Sequence, residues 1–263
     1  MAVVGATGKL GSVVVRLVEE AGDLELAAAL DSRSPLEDLL GADLVVDTTV
    51  PAVSPQIVEF ALEHGLNVLV GTSGWSADRI RELESRMRDR PDAGVIIIPN
   101  FSLGSVLGTA FATVAARFYD SIEIVEAHGA AKLDSPSGTA VRTAELIAAA
   151  RGTRGPVEAP HVDQRARGQQ VASVPVHSLR MHGVIAKQDV IFGGPGETLT
   201  VTHATTGPAA YEAGILVAIR AAAHATGVTV GLDKLIDLGI SEPREGDVPS
   251  VRETGSGTGD TQA

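Results

Sequence analysis

The sequence contains no cysteine and few aromatic residues. Phe, Trp and Tyr make up 3% of its 263 residues, and Cys is absent. The chain therefore forms no disulfide and uses no thiolate chemistry, which suits a cytoplasmic location. Hydrophobic residues still reach 44%, so Val, Ile, Leu and Ala must fill the core. The length is enough for one large or two modest domains.

Positive charge is not in excess, and long apolar runs are missing. The formal net charge of −12 argues against binding to nucleic acid or to an anionic membrane surface. No apolar run approaches the length that spans a membrane, and the N-terminus lacks the basic and apolar regions of a signal peptide. We therefore expect a cytoplasmic protein that binds small molecules.

A glycine-rich turn near the N-terminus has the context of a dinucleotide site. Residues 2–4 read as a short strand, residues 5–11 read Gly-Ala-Thr-Gly-Lys-Leu-Gly, and an amphipathic helix follows. A strand predicted from Leu24 to Leu30 then ends in Asp31. The glycines would let the backbone meet a pyrophosphate, and the acid would accept from a ribose hydroxyl. The spacing is G-x-x-G-x-x-G, not G-x-G-x-x-G, and an ordinary tight turn is the alternative.

The residues around this turn leave the choice of nicotinamide cofactor open. A carboxylate at Asp31 would repel a 2′-phosphate and so favours NADH. Lys9 and Arg33 lie where they could attract that phosphate. The sequence therefore allows either NADH or NADPH.

Further strand and helix units indicate a parallel sheet that is covered on both faces. Continuous apolar strands at 44–47, 67–70 and 94–98 alternate with amphipathic helices. Ligands bind at the carboxyl ends of such strands. Several of the residues at these ends should line the cofactor, and they are Thr48, Gly71, Thr72, Asn100 and Phe101.

The pattern of predicted helices and strands changes after residue 101. The predicted elements are a helix at 102–117, a strand at 122–126, a helix at 137–151, an exposed loop at 152–170, and three strands at 174–180, 184–192 and 198–203. The three strands read as an antiparallel meander. An apolar helix at 209–225 should return to the first domain or lie at a subunit contact.

These patterns predict an α/β protein with two domains. A Rossmann-type doubly wound parallel sheet would occupy residues 1–101 and 207–241. A smaller α+β domain for substrate binding and oligomerisation, with a mostly antiparallel or mixed sheet, would occupy residues 102–206. The Gly-, Ser- and Asp-rich tail at 242–263 is expected to be disordered.

The run E-A-H-G-A-A-K-L-D-S-P-S-G-T-A at 126–140 is the strongest candidate for a substrate site. Ser135 is expected to cap a helix that begins at Pro136. The first turn of such a helix has free N–H groups and a dipole that favours an anion. This turn would contain Ser137, Gly138 and Thr139. The alternative is an ordinary helix cap.

Two side chains just upstream could supply acid–base chemistry. His128 is the residue type best suited to move a proton near neutral pH, and Lys132 could add a cation to an anion site. The alternative is a pair of surface residues. His177, His182 and His203 show no metal-ligand spacing, so we predict no metal site and interpret them as structural or surface residues.

Four stretches resemble the dihydrodipicolinate reductase family, the bacterial 4-hydroxy-tetrahydrodipicolinate reductases. They are G-A-T-G-K-L-G at 5–11, V-G-T-S-G-W at 70–75, P-N-F-S at 99–102 and the run at 126–140. The resemblance covers roughly residues 2–241. It implies reduction of a cyclic imine dicarboxylate with NADH or NADPH in the diaminopimelate and lysine pathway. It also implies a Rossmann half completed by C-terminal elements and a homotetramer joined through the sheet of the substrate domain.

The resemblance also implies roles for individual residues. His128 would donate and accept a proton, Lys132 would donate one, and Gly138 with Thr139 would hold a substrate carboxylate. The cofactor would contact Gly5, Ala6, Thr7, Gly8, Lys9, Leu10, Gly71, Thr72, Ser73, Ile98, Pro99, Asn100 and Phe101.

Two positions depart from the pattern of the family. Where the family commonly has a second histidine that contacts substrate, in His-His-x-x-Lys, this chain has Gly129. An aromatic residue often follows the acid at the strand end that here reads D-T-T-V-P at 47–51. The alternatives are a related imine reductase with another substrate and a non-catalytic nucleotide-binding regulatory protein. The presence of both His128 and Lys132 counts against the second.

Overall fold

The computed structural model describes residues 1–238. Their strands are β1 (Ala2–Val4), β2 (Ala28–Leu30), β3 (Leu44–Asp47), β4 (Asn67–Val70), β5 (Gly94–Ile97), β6 (Ser121–His128), β7 (Gln169–Val171), β8 (Val174–Arg180), β9 (Ala186–Gly194), β10 (Glu197–Thr205) and β11 (Gly227–Val230). Their α-helices are α1 (Lys9–Glu20), α2 (Ser54–Glu63), α3 (Ala77–Met87), α4 (Leu103–Ala115), α5 (Gly138–Arg151) and α6 (Glu212–Ala222). The predicted tail at 242–263 lies outside the described residues.

Six strands form a parallel sheet in the order β11-β5-β4-β3-β1-β2. Its central strands are rich in Val, Ile and Leu because both faces are buried, with α2 and α3 packed on one side and α1 and α6 on the other. The predicted doubly wound sheet is confirmed. The chain passes from β1 to β2 and then crosses to β3 on the other side of β1, which opens a crevice at the carboxyl ends of β1 and β3.

The ends of this sheet differ in detail from the sequence pattern. β2 is shorter than the strand predicted at 24–30, because its neighbour β1 offers only Ala2 to Val4 for pairing. The apolar helix predicted at 209–225 does return to this sheet, where α6 contacts α1, β4 and β5. β11, which the sequence pattern did not predict, follows α6 and pairs with β5.

The second sheet is mixed, with the order β10-β9-β6-β8-β7. The predicted meander is therefore wrong in part. β9 and β10 form an antiparallel hairpin, but β8 pairs in parallel with β6, which lies between β8 and β9. The reason is that α5 carries the chain from β6 across the face of the sheet, and such a crossover returns the next strand in the same direction.

One face of this sheet is covered by helices and holds the core of the second half. α4 contacts β10, and α5 contacts β6 and β8. Alternate residues of β6 point toward them, beginning with the buried Ile122 and Ile124 and ending with Glu126 and His128. The apolar core therefore gives way to polar side chains at the end of the sheet that lies nearest the first half.

Candidate active site

The glycine-rich turn between β1 and α1 has the geometry of an anion site. Gly5 has a φ of +84°, a region that favours glycine. A Cβ on Gly11 would lie 2.1 Å from the carbonyl oxygen of Gly5, so only glycine lets the helix pack this closely. Among the described residues, no side chain caps the start of α1 at Gly8, and its first turn has no acid. Its first N–H groups are thus available to an anion such as a pyrophosphate.

Asp31 directly follows β2 and is held in its charged form by its own turn. Its carboxylate accepts from the backbone N–H of Arg33 at 2.9 Å and from Nη2 of Arg33 at 2.8 Å. These hydrogen bonds, with a smaller contribution from Ser34, lower the pKa of Asp31 to about 2. The predicted ribose acceptor is therefore ionised, and Arg33 is paired with it while its side chain stays exposed.

The threonines at the strand ends brace the backbone. The hydroxyl of Thr48 donates to the carbonyl oxygen of Val4 at 2.8 Å, which fixes the start of the glycine turn. Thr72 is buried, with its hydroxyl 3.5 Å from the carbonyl oxygen of Asp47. Ser73 is exposed. These residues shape the crevice chiefly by holding the ends of β1, β3 and β4.

A cavity of about 400 Å³ lies between the strand ends of the first sheet and the polar end of the second. It brings together eight predicted site residues, which are Leu10, Gly71, Pro99, Asn100, Phe101, His128, Ser137 and Thr139. Its lining does not include Gly5, Ala6, Thr7, Gly8, Lys9, Asp31, Arg33, Thr48, Thr72, Ser73, Ile98, Gly129, Lys132 or Gly138. Ile98 is buried in the core of the first sheet. A cavity built from both halves is suited to two ligands that must meet.

Two neighbouring rows of side chains, one residue from each of four strands, lie where the second sheet meets the cavity, and five of their eight members line it. The strand register aligns the first row as His203, Gln188, Glu126 and Ser178. It aligns the second row as Thr205, Ala186, His128 and Arg180. The row before them, on the same face, is the apolar set Val201, Val190, Ile124 and Val176. The site therefore lies directly above the core of the second half.

Glu126 is a fully buried carboxylate below His128. Its Oε2 lies 2.5 Å from Nδ1 of His128, and both of its oxygens accept from Arg180, at 2.9 and 3.0 Å. Burial favours the neutral acid, but hydrogen bonds from Arg180, Ser178 and His128 outweigh it and hold the pKa of Glu126 below its usual range. Because an ionised carboxylate only accepts, Nδ1 of His128 donates to it, and Nε2 is left for a ligand.

The helix that was predicted to form an anion cradle begins two residues later than its sequence indicated. Ser137, not Ser135, is the N-cap, and α5 begins at Gly138, not Pro136. The hydroxyl of Ser137 accepts from the backbone N–H of Ala140 at 3.2 Å. The backbone N–H of Ser137 donates to Glu126, which holds this residue in the cap position. The start of the helix therefore still points toward the cavity, with Gly138 and Thr139 in its first turn.

Two glycines of this segment differ in how much room surrounds them. A Cβ on Gly138 would meet no atom of the described chain within 4 Å, so this position opens onto space that a ligand could fill. A Cβ on Gly129 would lie 3.3 Å from the carbonyl oxygen of Val184. The φ of Gly129 is outside the positive region, unlike that of many other described glycines. A side chain at position 129 would therefore need only a small adjustment.

Lys132 stands apart from the cavity wall. Its Nζ lies 2.8 Å from Oδ1 of Asp134, and its side chain is 30% exposed. The hydrogen bond from Lys132 helps to hold the pKa of Asp134 below its usual range. Joint action of Lys132 with His128 therefore stays a prediction that requires Lys132 to leave Asp134.

Reasoning from sequence missed several polar residues around the cavity, among them Glu126, Arg180, Gln188 and His203. Glu126 and Arg180 support His128, and Gln188 and His203 line the cavity. Burial lowers the pKa of His203, and its Nε2 lies 3.2 Å from the hydroxyl of Ser102. Only Glu126 had a usable signal, since it precedes His128 by two residues in a strand and so shares its face. The others depend on a strand register that the pattern could not supply.

Within residues 1–238, no group of His, Asp or Glu is placed to hold a metal ion. None of the helices in the same range has the length and apolar character needed to span a bilayer.

Comparisons with other proteins agree with this geometry. Residues 1–101 match the family model "Dihydrodipicolinate reductase, N-terminus", and residues 104–236 match "Dihydrodipicolinate reductase, C-terminus". A 4-hydroxy-tetrahydrodipicolinate reductase of Clavibacter michiganensis is 65% identical over 95% of this chain and 92% of its own length. One from Streptomyces griseus is 46% identical over 90% of this chain and 98% of its own.

A solved structure has the same arrangement of elements. Dipicolinate-bound dihydrodipicolinate reductase from Paenisporosarcina sp. TG-14 superposes with a TM-score of 0.79 at 28% identity, over 89% of this chain and 98% of its own. An amine dehydrogenase from Mycobacterium smegmatis, at 12% identity and a TM-score of 0.57, shares the fold alone. With both halves matched and close relatives along nearly its whole length, the chain belongs to the dihydrodipicolinate reductase family.

Proposed function

We propose that this chain reduces 4-hydroxy-tetrahydrodipicolinate to tetrahydrodipicolinate with NADH or NADPH, in diaminopimelate and lysine biosynthesis. One observation carries the proposal. A single cavity joins the strand ends beside the glycine turn, represented by Gly71 and Phe101, to His128 and Thr139. The dipicolinate-bound relative supports a dicarboxylate as the ligand on the second side.

The first half would hold the nucleotide. The turn at 5–11 leaves N–H groups of α1 for the pyrophosphate, and Asp31 would accept from a ribose hydroxyl. The segments 71–73 and 98–101 would lie along the nicotinamide end, where Gly71 and Phe101 line the cavity. When bound, the reduced nicotinamide supplies a hydride to the substrate ring.

The second half would bind and orient the dicarboxylate. One substrate carboxylate would rest against the first turn of α5, where Gly138 and Thr139 after the N-cap Ser137 present backbone N–H groups and the helix dipole favours an anion. The open space at Gly138 gives the carboxylate access to the backbone.

His128 and Lys132 would transfer the proton that the reaction takes up. The ring hydroxyl is lost as water, the conjugated ring imine receives one hydride, and one proton is taken up. His128, whose Nδ1 is committed to Glu126, presents Nε2 to the cavity and would hold or move this proton. The carboxylates of the substrate would draw the ammonium group of Lys132 inward. Lys132 would then leave Asp134 and donate a proton to the substrate.

A coupled assay tests the proposed function. Aspartate semialdehyde and pyruvate, converted by the upstream synthase, generate the unstable substrate in place, and oxidation of NADH or NADPH is followed. We expect oxidation only when the synthase and both of its substrates are present. Absence of turnover with either nucleotide, while the nucleotide still raises the melting temperature, would favour the related imine reductase that Gly129 suggests.

A homotetramer in the cytoplasm is part of the proposal. β10 forms an edge of the second sheet, and beside it Phe111, Phe118 and Leu199 expose apolar surface around a groove of about 570 Å³. Burial of this edge between subunits would remove that surface from water. Light scattering should give the mass of four chains, and the mass of one chain would contradict the assembly.

The division into two domains is likewise proposed. All six strands of the first sheet lie within 1–101 and 207–241, and all five of the second lie within 102–206. Each sheet has its own core cluster or clusters.

A further inference from the structure

The buried carboxylate of Glu126 joins three parts of the candidate active site. Its Oε2 accepts from Nδ1 of His128 at 2.5 Å, and its Oε1 accepts from the backbone N–H of Ser137 at 3.2 Å. Arg180, on the neighbouring strand, donates to both oxygens. One carboxylate thus fixes both the imidazole and the residue that caps the anion cradle.

Arg180 extends these contacts to the segment that carries Lys132. Its Nη2 donates to the carbonyl oxygen of Asp134 at 2.6 Å, and its Nη1 donates to the carbonyl oxygen of Leu179 at 2.7 Å. The side chain of Asp134 in turn holds Nζ of Lys132. His128, the cradle and Lys132 are therefore connected through the Glu126–Arg180 ion pair and the contacts that Arg180 and Lys132 make with Asp134.

We propose that Glu126 and Arg180 are positioning residues, which set the tautomer and direction of His128 and lock the cradle to it. This inference rests on the proposed function for its meaning in catalysis. A buried ion pair contributes little stability compared with apolar side chains of the same volume, so stability alone does not explain it. Its geometric consequence is specific, because it leaves Nε2 of His128 as the nitrogen that faces substrate.

The two oxygens of Glu126 are not equivalent, and this makes the effect of Glu126→Gln predictable. Oε1 faces two donors that cannot become acceptors, the backbone N–H of Ser137 and Nη2 of Arg180. Oε2 faces only one such donor, Nη1 of Arg180, beside the imidazole, which can change its role. The amide oxygen of a glutamine would take that place. Its NH2 group would then face Nδ1 of His128, which can only accept from it by moving the ring proton to Nε2. The substitution should therefore invert the tautomer, so that Nε2 still faces the substrate but as an N–H donor, no longer as an acceptor.

The chain supplies a matched control on the opposite face of the same strand. Glu123 accepts from Arg167 and lies 2.5 Å from Nε2 of His177, so it forms a second group of one Glu, one Arg and one His. None of the three residues lines the cavity. Glu123→Gln therefore makes the same chemical change in the same sheet away from the candidate active site.

The test combines ring-nitrogen NMR with kinetics on the full-length protein. In protein labelled with 15N-histidine, the His128 signals are identified by their loss in His128→Asn. We expect the neutral His128 ring of the parent to carry its proton on Nδ1 and that of Glu126→Gln to carry it on Nε2. We also expect kcat to fall about 10- to 100-fold, as when the outer partner of a functional histidine is removed, with unchanged NADH affinity. Glu123→Gln should leave the His128 signals and kcat at parental values.

The proposal would be overturned if Glu126→Gln kept the parental tautomer of His128 or the parental kcat. If Glu126→Gln does not fold, Arg180→Lys replaces it, because lysine keeps the charge but cannot reach both Glu126 and Asp134. Arg180→Lys should lower kcat and raise KM for the dicarboxylate, and unchanged values of both would overturn the proposal. The NMR result needs no substrate, so failure of the parent to reduce 4-hydroxy-tetrahydrodipicolinate would contradict the proposed function separately.

Discussion

Gly129→His should strengthen substrate binding, and the size of the expected fall in KM can be worked out. Gly129 lacks a positive φ, and a Cβ there would stand 3.3 Å from the carbonyl oxygen of Val184. The site can therefore accept a side chain after a small shift of that carbonyl. A hydrogen bond to a charged group contributes about 1.5–3 kcal/mol. At about 1.4 kcal/mol per factor of ten, KM for the dicarboxylate should fall by about 10- to 150-fold.

Steady-state kinetics at saturating NADH measures this change. We expect KM for 4-hydroxy-tetrahydrodipicolinate to fall and kcat to change less. Gly129→Ala is the control, because it stiffens the loop as histidine does but adds no imidazole. If Gly129→His folds and binds substrate no better than Gly129→Ala, the reasoning is refuted. A neighbouring group would then already occupy the place of the imidazole.

Three further substitutions test the remaining assignments. Lys132→Ala should lower kcat by about 100-fold or more, as expected for a lost general acid, with unchanged NADH affinity; parental turnover would remove Lys132 from the reaction. Gly138→Ala should raise KM for the dicarboxylate without lowering the melting temperature, since the added Cβ meets open space within the described structure and alanine favours a helix; an unchanged KM would place the carboxylate elsewhere. Asp31→Ala should weaken NADH more than NADPH in titrations, and equal weakening would show that Asp31 does not contact the ribose.

The first half of the fold was predictable because its signals are local. A glycine turn, an amphipathic helix and continuous apolar strands each appear within one short window of sequence. The length of β2 was not predictable, since it is set by the three residues that β1 offers for pairing. The position of β11 was not predictable from sequence either, because it depends on pairing with β5, more than one hundred residues earlier in the chain.

The second half shows how non-local pairing limits inference about a site. His128, Ser137 and Thr139, all from the run at 126–140, line one cavity. Arg180 entered the site only because β8 pairs with β6 in parallel, which places it beside His128. The shift of the helix start from Pro136 to Gly138 has a similar origin, since Glu126 holds the N–H of Ser137 from another element.

We expect hydride to pass from the nucleotide to a dicarboxylate ring within the cavity shared by the two halves. Transfer from NADH that carries deuterium at the reactive C4 position of the nicotinamide measures this most directly. With substrate generated by the upstream synthase, mass spectrometry should find product heavier by one deuterium when the label occupies one face of the ring, and unlabelled product when it occupies the other. Two results would contradict this transfer. One is product that lacks deuterium whichever face of the nicotinamide carried the label, and the other is absence of product although the nucleotide binds.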